Sequence, residues 1–170
     1  MKRENSVRKL TTAAVIAALY CALTLALPFM TFGPVQCRFS EALTILPVFT
    51  SAAVPGLAVG CVVSNAVGLA AGANVAGAWD VLLGTLATLS AAVCSRALRK
   101  YPLLATLPPV LFNALIIGTE LTLALYENPT VVLWAYNALS VGAGQALACI
   151  GGGMLLYTAV NRAPKLKSFM

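Results

Sequence analysis

The charged residues of this chain come in islands, and the tracts between them constrain the fold more than any motif does. No Asp, Glu, Lys or Arg lies between Leu10 and Cys37, Ala42 and Trp79, Val81 and Ser95, Tyr101 and Thr119, or Asn128 and Asn161. About 17–25 consecutive apolar residues are enough for a helix to cross the hydrocarbon of a bilayer. Tracts of that length, one after another along 170 residues, leave nothing from which to build a water-facing shell. The chain is 60% hydrophobic and 9% charged, against roughly 45–50% and about 25% in an average soluble domain. A soluble chain this short also buries only about two-thirds of its unfolded surface, so it needs polar residues to cover the rest. The bilayer must be the solvent, and the class is an all-α integral membrane protein.

The tracts predict a single domain over residues 1–170 with six transmembrane helices at about 10–27, 41–54, 56–71, 79–98, 103–126 and 130–160. The one long connection, Phe29–Ser40, carries Gly33-Pro34 as a turn signal. Ser40 is placed to cap the second helix, with Glu41 in its first turn. Pro47 interrupts that short helix, and Pro108-Pro109 delay or kink the start of the fifth. A basic start before an apolar run also describes a signal peptide, but the first run is long for one and no clear small-x-small site follows it.

Orientation follows from the basic residues. Lys2, Arg3, Arg8 and Lys9 precede the first helix, Arg96, Arg99 and Lys100 lie between the fourth and fifth, and Arg162, Lys165 and Lys167 follow the sixth. With six spans every Lys and Arg except Arg38 falls on one side, which predicts a multi-pass protein of the cell membrane with both termini cytoplasmic. The net charge of +6 is therefore a topology signal and not a nucleic-acid footprint.

The acids show the complementary pattern. Glu41, Asp80, Glu120 and Glu127 fall at or near the outer face, joined by Gln36, Asn74, Trp79, Trp134, Tyr136 and Asn137. Ionisable groups within spans are costly and mark function. Glu120 is the most telling, about two turns inside the outer end of the fifth helix. Each feature has a plainer reading: Asp80 as a helix N-terminal acid beside an interfacial tryptophan, Glu41 as a partner of Arg38 one turn away, Glu127 as a loop acid, Trp134 and Tyr136 as aromatic-belt anchors. Together they describe a pocket of carboxylates, amides and rings, suited to a flat, hydrogen-bond-rich, cationic small molecule.

Catalysis and metals find little support. Histidine is absent, and Cys21, Cys37, Cys61, Cys94 and Cys149 are scattered without metal-ligand spacing. No catalytic residue, metal site or cofactor is assigned. The sequence has no phosphate loop and no buried proton relay across the inner half, where Ser64, Asn65, Asn113 and Gln145 are only mildly polar. A transporter of this kind would draw its energy from partner chains. Ala14, Ala18 and Ala22, with Ala13 and Ala17 alongside, form a flat small-residue strip on the first helix, fit either for a partner or for another helix of this chain.

The segments VQCRFSEALTILPVF (Val35–Phe49), PGLAVGCVVSN (Pro55–Asn65) and WDVLLGTLATL (Trp79–Leu89) resemble the queuosine-precursor transporter (QueT) family, substrate-binding S components of energy-coupling-factor (ECF) transporters. The resemblance implies a non-enzymatic six-helix subunit with an outward-facing site, docked on a transmembrane coupling protein and two cytoplasmic ATPases. The alanine strip then resembles the face such proteins turn to the coupling subunit. The implied substrate is a 7-deazaguanine such as the aminomethyl form (preQ1) or queuine. On that reading Glu41 and Asp80 form the pocket mouth, Glu120 is the buried contact, Asn137 or Gln36 reads the purine edge, and Arg38 orients Glu41. An S component for a different vitamin, or a stand-alone channel or exporter, is the alternative.

Overall fold

The computed structural model describes residues 2–32 and 36–163, with side chains from Ser6 onward, and the secondary structure of those residues is helical. The elements are α1 (Lys2–Ala26), a single turn α2 (Pro28–Thr31), a 3-10 helix (Phe39–Val48), α3 (Ala53–Ala70), α4 (Trp79–Ala97), a 3-10 turn (Leu104–Thr106), α5 (Leu107–Leu125), α6 (Val131–Ala146), a π segment (Leu147–Gly152) and α7 (Gly153–Arg162). Five helical stretches among the described residues are long and apolar enough to cross a membrane: Ser6–Ala26, Ala53–Ala70, Trp79–Ala97, Leu104–Leu125 and Val131–Arg162. The expected turn at Gly33-Pro34 lies outside the described residues.

The element expected at 41–54 is different in kind. It starts at Phe39, ends at Val48 and is wound as a 3-10 helix, and α3 begins at Ala53 rather than Gly56. Ser40 does not cap it; the Ser40 hydroxyl instead accepts a hydrogen bond from Thr24 at 2.7 Å. Pro47 is one cause of the winding. It has no N–H for an α-helical bond to residue 43, and its ring would press on that carbonyl. A second cause is reach. At about 2.0 Å per residue ten residues cover roughly 20 Å, against about 15 Å as α-helix.

Reach matters because of how α1 and α3 pack. Gly56 faces Ala13 and Ile16, and Gly60 faces Ala17 and Tyr20, so the two helices run parallel. The chain between them must therefore return to the level where α1 began, and the 3-10 helix makes that return. It descends beside α6 and α7. Gly144 lies against Gln36 and Cys37, Gly152 against Ala42, and the Tyr157 ring stacks on Phe49 at 5.2 Å. The remaining neighbours are antiparallel: Cys61 meets Thr88 between α3 and α4, and Gly118 meets Ala138 between α5 and α6. Close approach is required at Gly60, where a Cβ would stand 2.8 Å from Tyr20 Cβ and 2.9 Å from the Ala17 carbonyl.

At the other helix ends the local chemistry is ordinary. Pro108 and Pro109 occupy the first turn of α5, where no N–H is needed, so they set its start without kinking it. Thr130 caps α6, its side chain accepting from the Leu133 N–H at 3.3 Å. The bundle is inverted relative to a soluble protein. Leu111, Leu139 and Leu155 point outward, while Arg38, Glu41, Asp80, Asn65 and Gln145 are buried. Backbone groups in lipid must be satisfied within the chain, which an all-helical bundle achieves.

Candidate functional site

The buried polar residues gather where the start of the 3-10 helix, the N-terminus of α4 and the facing parts of α1, α3, α5 and α6 meet. Arg38, immediately before the 3-10 helix, donates from Nη2 to Asp80 Oδ2 at 2.6 Å, and both side chains are at most 1% exposed. Its Nη1 donates to Asn65 Oδ1 at 3.3 Å, and its guanidinium lies over the Phe32 ring, 5.5 Å from the centroid. Asn65 Nδ2 donates in turn to the Asp80 carbonyl at 2.7 Å, and Asn74 Nδ2 to Asp80 Oδ2 at 2.8 Å. Gly84 makes room for this knot: a Cβ there would stand 2.5 Å from Asp80 Oδ1 and 2.8 Å from Asn65 Nδ2.

This corrects one expectation. Arg38 pairs with Asp80 across the fold and not with Glu41 one turn away. Glu41 is held instead by α1, where the Tyr20 hydroxyl donates to its Oε1. Helical spacing is why the local pair fails: residues 38 and 41 straddle the entry of a 3-10 helix, and Arg38 keeps an extended backbone directed toward α4.

The other predicted residues divide. Glu120, on α5, is 4% exposed, lies in electrostatic range of Asp80 and Arg38, and has no hydrogen bond on either oxygen. It lines a cleft of about 310 Å3 with Trp79, Leu83, Leu123 and Ala124. Gln36 is buried with Nε2 unpartnered, and Asn137 is buried with Nδ2 donating to Thr122 Oγ1 at 3.0 Å. Trp134 and Tyr136 are not brought in. Trp134 Nε1 donates to Thr119 Oγ1 at 2.9 Å on the outer seam of α5 and α6, and Tyr136 is 62% exposed, one residue off the buried line of α6. Glu127 is an exposed loop acid.

Asn65 and Gln145 were expected among mild inner-half residues, yet both belong to this cluster. Gln145 is 1% exposed, and its Oε1 accepts a weak bond from the Cys149 thiol at 3.5 Å. The signal for Gln145 was its spacing: Asn137, Val141 and Gln145 recur every fourth residue, and all are buried. Asn65 carries the same signal, closing the buried line Ala53, Leu57, Cys61 and Asn65 on α3, but its polar partners Arg38 and Asp80 are distant in sequence.

Chemically the cluster is a set of unmatched donors and acceptors. Among the described residues the buried atoms without partners are Glu41 Oε2, Asp80 Oδ1 and both Glu120 oxygens on one side, and Gln36 Nε2, Gln145 Nε2 and Arg38 Nε on the other. An unsatisfied buried polar group costs about 1–3 kcal/mol, more if charged. One cation stands against three carboxylates, so the site is disposed toward a compact polar ligand with positive charge. No three His, Cys, Asp or Glu side chains gather at metal-binding distance among the described residues.

A family model described as QueT transporter matches residues 10–162, from the first span through the last. The chain belongs to the QueT transporter family. One relative is the queuosine precursor transporter QueT of Lactococcus lactis subsp. cremoris (strain MG1363), 31% identical over 90 residues. That match covers 51% of this chain and 48% of the relative, so it spans about half the length of each. No solved structure matches. The family assignment covers every element that contributes to the cluster from α1 through α6.

Away from the site, Ala14, Ala18 and Ala22 are exposed, whereas the buried stripe of α1 is Thr12, Ile16, Tyr20 and Thr24. The strip is therefore not consumed by packing within the described chain. Beside it runs a groove of about 500 Å3 between α1 and the start of α3, lined by Lys9, Ala13, Ala14, Ala17, Pro55 and Val59 among others.

The Arg38–Asp80 pair gives the sharpest prediction about stability. Asp80→Asn strands a buried guanidinium and should lower the unfolding free energy by about 3–5 kcal/mol. Arg38→Met/Asp80→Leu removes both charges and should recover most of that loss in denaturant titrations of the detergent-purified protein. A single variant as stable as wild type would mean that Asp80 is not what compensates Arg38.

Proposed function

We propose that this chain is the substrate-specific membrane subunit of an ECF-type importer, binding a 7-deazaguanine precursor of queuosine, such as the aminomethyl form or queuine, from the outer side. The observation that carries the reading is the buried cluster of Glu41, Asp80 and Glu120 with unpartnered oxygens beside unpartnered amides, in a chain of a transporter family whose Lactococcus relative is named for a queuosine precursor. A guanine-like edge presents N1–H and an exocyclic amine that one carboxylate can accept in paired fashion, and a pendant cationic amine takes a second. Glu120, buried and unpaired, is assigned the cationic amine, and Glu41 the ring edge.

Transport is assigned to partners. The reading gives the chain six crossings, with the 3-10 helix as the second, and both termini in the cytoplasm. Parallel packing of α1 and α3 supports an even number, because the 3-10 segment must return across the bundle, and the placement of basic residues supports the side. A coupling membrane protein and two cytoplasmic ATPases supply the energy, and the exposed Ala14, Ala18 and Ala22 are the docking strip. The chain itself performs no covalent chemistry.

Purified protein should bind aminomethyl-deazaguanine or queuine selectively over guanine, thiamin and riboflavin in calorimetry, and Glu120→Gln should weaken that binding at least tenfold. Selective binding of another vitamin would sink the substrate assignment, and unchanged affinity in Glu120→Gln would remove that residue from the site. Ala18→Trp should abolish ATP-dependent uptake in vesicles holding the coupling module while leaving ligand affinity within twofold of wild type. Uptake by the chain alone, without ATPases, would contradict the division of labour. A green fluorescent protein fused after Met170 should fluoresce in cells, and an alkaline phosphatase there should be inactive; the reverse would invert the topology.

A further inference from the structure

The unmatched atoms of the cluster are not all of one kind, and their arrangement says more than that a cation is welcome. The carboxylates ask for donors. Gln36 Nε2 and Gln145 Nε2 are themselves donors, both on side chains 1% exposed, and both lack an acceptor among the described residues. A ligand that offered only amines and ring N–H groups would satisfy the acids and leave both amides facing hydrogen. The site therefore requires an acceptor on one side of the ligand.

That side can be located. Gln36 is pressed against α6, where Gly144 permits an approach so close that a Cβ would stand 2.2 Å from the Gln36 carbonyl. Gln145 is the next residue. Its Oε1 is engaged by the Cys149 thiol, which also approaches the Glu41 carbonyl at 3.6 Å, and this leaves Nε2 as the free end of the amide. The Gln36 backbone, the Gln145 amide and the Glu41 backbone carbonyl thus meet at the junction of α6 and the 3-10 helix. The Glu41 carboxylate, held by Tyr20 of α1, lies in electrostatic range of Cys149, and Asp80 and Glu120 belong to α4 and α5. The π segment Leu147–Gly152 begins directly after this point. Buried positions 137, 141, 145, 149 and 153 follow a four-residue step, which would drift by about 40° per step in a pure α-helix. The wider π turn offsets that drift and keeps Gln145 and Cys149 on the face toward the 3-10 helix. Single π turns of this kind occur frequently at functional sites.

We propose that Gln145 is a specificity-determining residue that donates its amide N–H to the ring carbonyl oxygen of a guanine-type substrate, with Gln36 beside it, while Glu41 accepts from the adjacent ring N–H. This rests on the deazaguanine reading of the site and fixes the ring's orientation within it: keto edge toward α6, cationic arm toward Glu120. It gives Gln145 a share in rejecting rings that carry an amino group in place of the keto oxygen. Such a group would set donor against donor at Gln145, and the adjacent ring nitrogen, then without its hydrogen, would face the Glu41 carboxyl acceptor against acceptor. Sites built to pair a ligand's polar group discriminate strongly against analogues that cannot pair.

The test compares aminomethyl-deazaguanine with its analogue bearing an amino group at the keto position, by calorimetry on the full chain in detergent. Wild type should prefer the keto ligand at least 100-fold. Gln145→Leu should lose at least tenfold for the keto ligand and little for the amino analogue, narrowing the ratio. Gln145→Glu, which places an acceptor there and keeps the size, should narrow or invert it even if Gln145→Leu proves unstable. A ratio unchanged in a folded Gln145→Glu variant overturns the role of Gln145 and leaves the substrate reading standing. Binding of neither ring by folded wild type overturns both.

Discussion

Arg38 heads the fully buried side chains by size among the described residues, and its charge is the fact around which the buried polar cluster is arranged. A lone guanidinium among apolar helices would be prohibitively costly, and the short bond to Asp80 makes it tolerable. The other donors and acceptors follow from holding that pair. Asn65 bridges the guanidinium and the Asp80 carbonyl, Asn74 takes the same carboxylate oxygen, Phe32 lies under the cation, and Gly84 gives the space. These contacts fasten the entry of the 3-10 helix to α3 and α4. The pair also sets the local field, because it neutralises one acid and leaves Glu41 and Glu120 with carboxyl oxygens still to be satisfied.

The 3-10 helix depends on that anchor as much as on its own sequence. A ten-residue 3-10 helix is long for its kind, and its geometry is poorer than that of an α-helix. It persists here because both ends are held. Arg38 fixes the entry, and at the far end Arg96 Nη1 donates to the Pro47 carbonyl at 2.8 Å and to the Val48 carbonyl at 3.3 Å, satisfying groups that the helix end would leave bare. Between those points the segment is buried on nearly every side and runs alongside the π segment and α7. Two non-α windings lie face to face, so each element carries its side chains at a spacing that a pair of regular α-helices would not give.

Much of the fold was legible because the bilayer simplifies the code. Long uncharged tracts, Pro at the head of α5 and Thr130 before α6 place elements within a few residues of where they form. What could not be read was anything set by winding or by contacts distant in sequence. In FSEALTILPV only Pro47 speaks against a regular α-helix, and it does not by itself select a stretched 3-10 one, since the other cause is the distance the chain must return between parallel α1 and α3. The candidate site was legible at Glu41, Asp80, Glu120 and Gln36, where charge or amides stand out against lipid-soluble neighbours. The pairing of Arg38 was not, because local spacing favoured Glu41 and the true partner lies 42 residues away. Gln145 and Asn65 were undervalued for the same reason. A lone amide in a span is a weak signal until the fold shows which other amides and acids share its pocket. Trp134 and Tyr136 failed in the opposite way, since aromatic residues at the right depth are expected at the lipid interface as much as in a pocket.

One helix connects the two ends of the proposed function. The buried stripe of α1 ends in Tyr20, which holds Glu41, and Thr24, which holds Ser40, while the opposite face carries the exposed alanines. On a helix these faces cannot move independently. Ala18 lies two residues before Tyr20, so a tilt or roll of α1 that seats the alanine strip against a neighbouring helix also displaces the hydroxyl that fixes the Glu41 carboxylate. The contact at Gly56 and Gly60 is tight enough for α3 to follow, and α3 carries Asn65. Small residues thus serve α1 twice: the outward alanines leave a flat exposed surface, the strip proposed to dock a partner, and Ala13 and Ala17 on the inward flank bring α3 into close contact. Coupling between the proposed docking strip and the proposed ligand site needs no longer path than this.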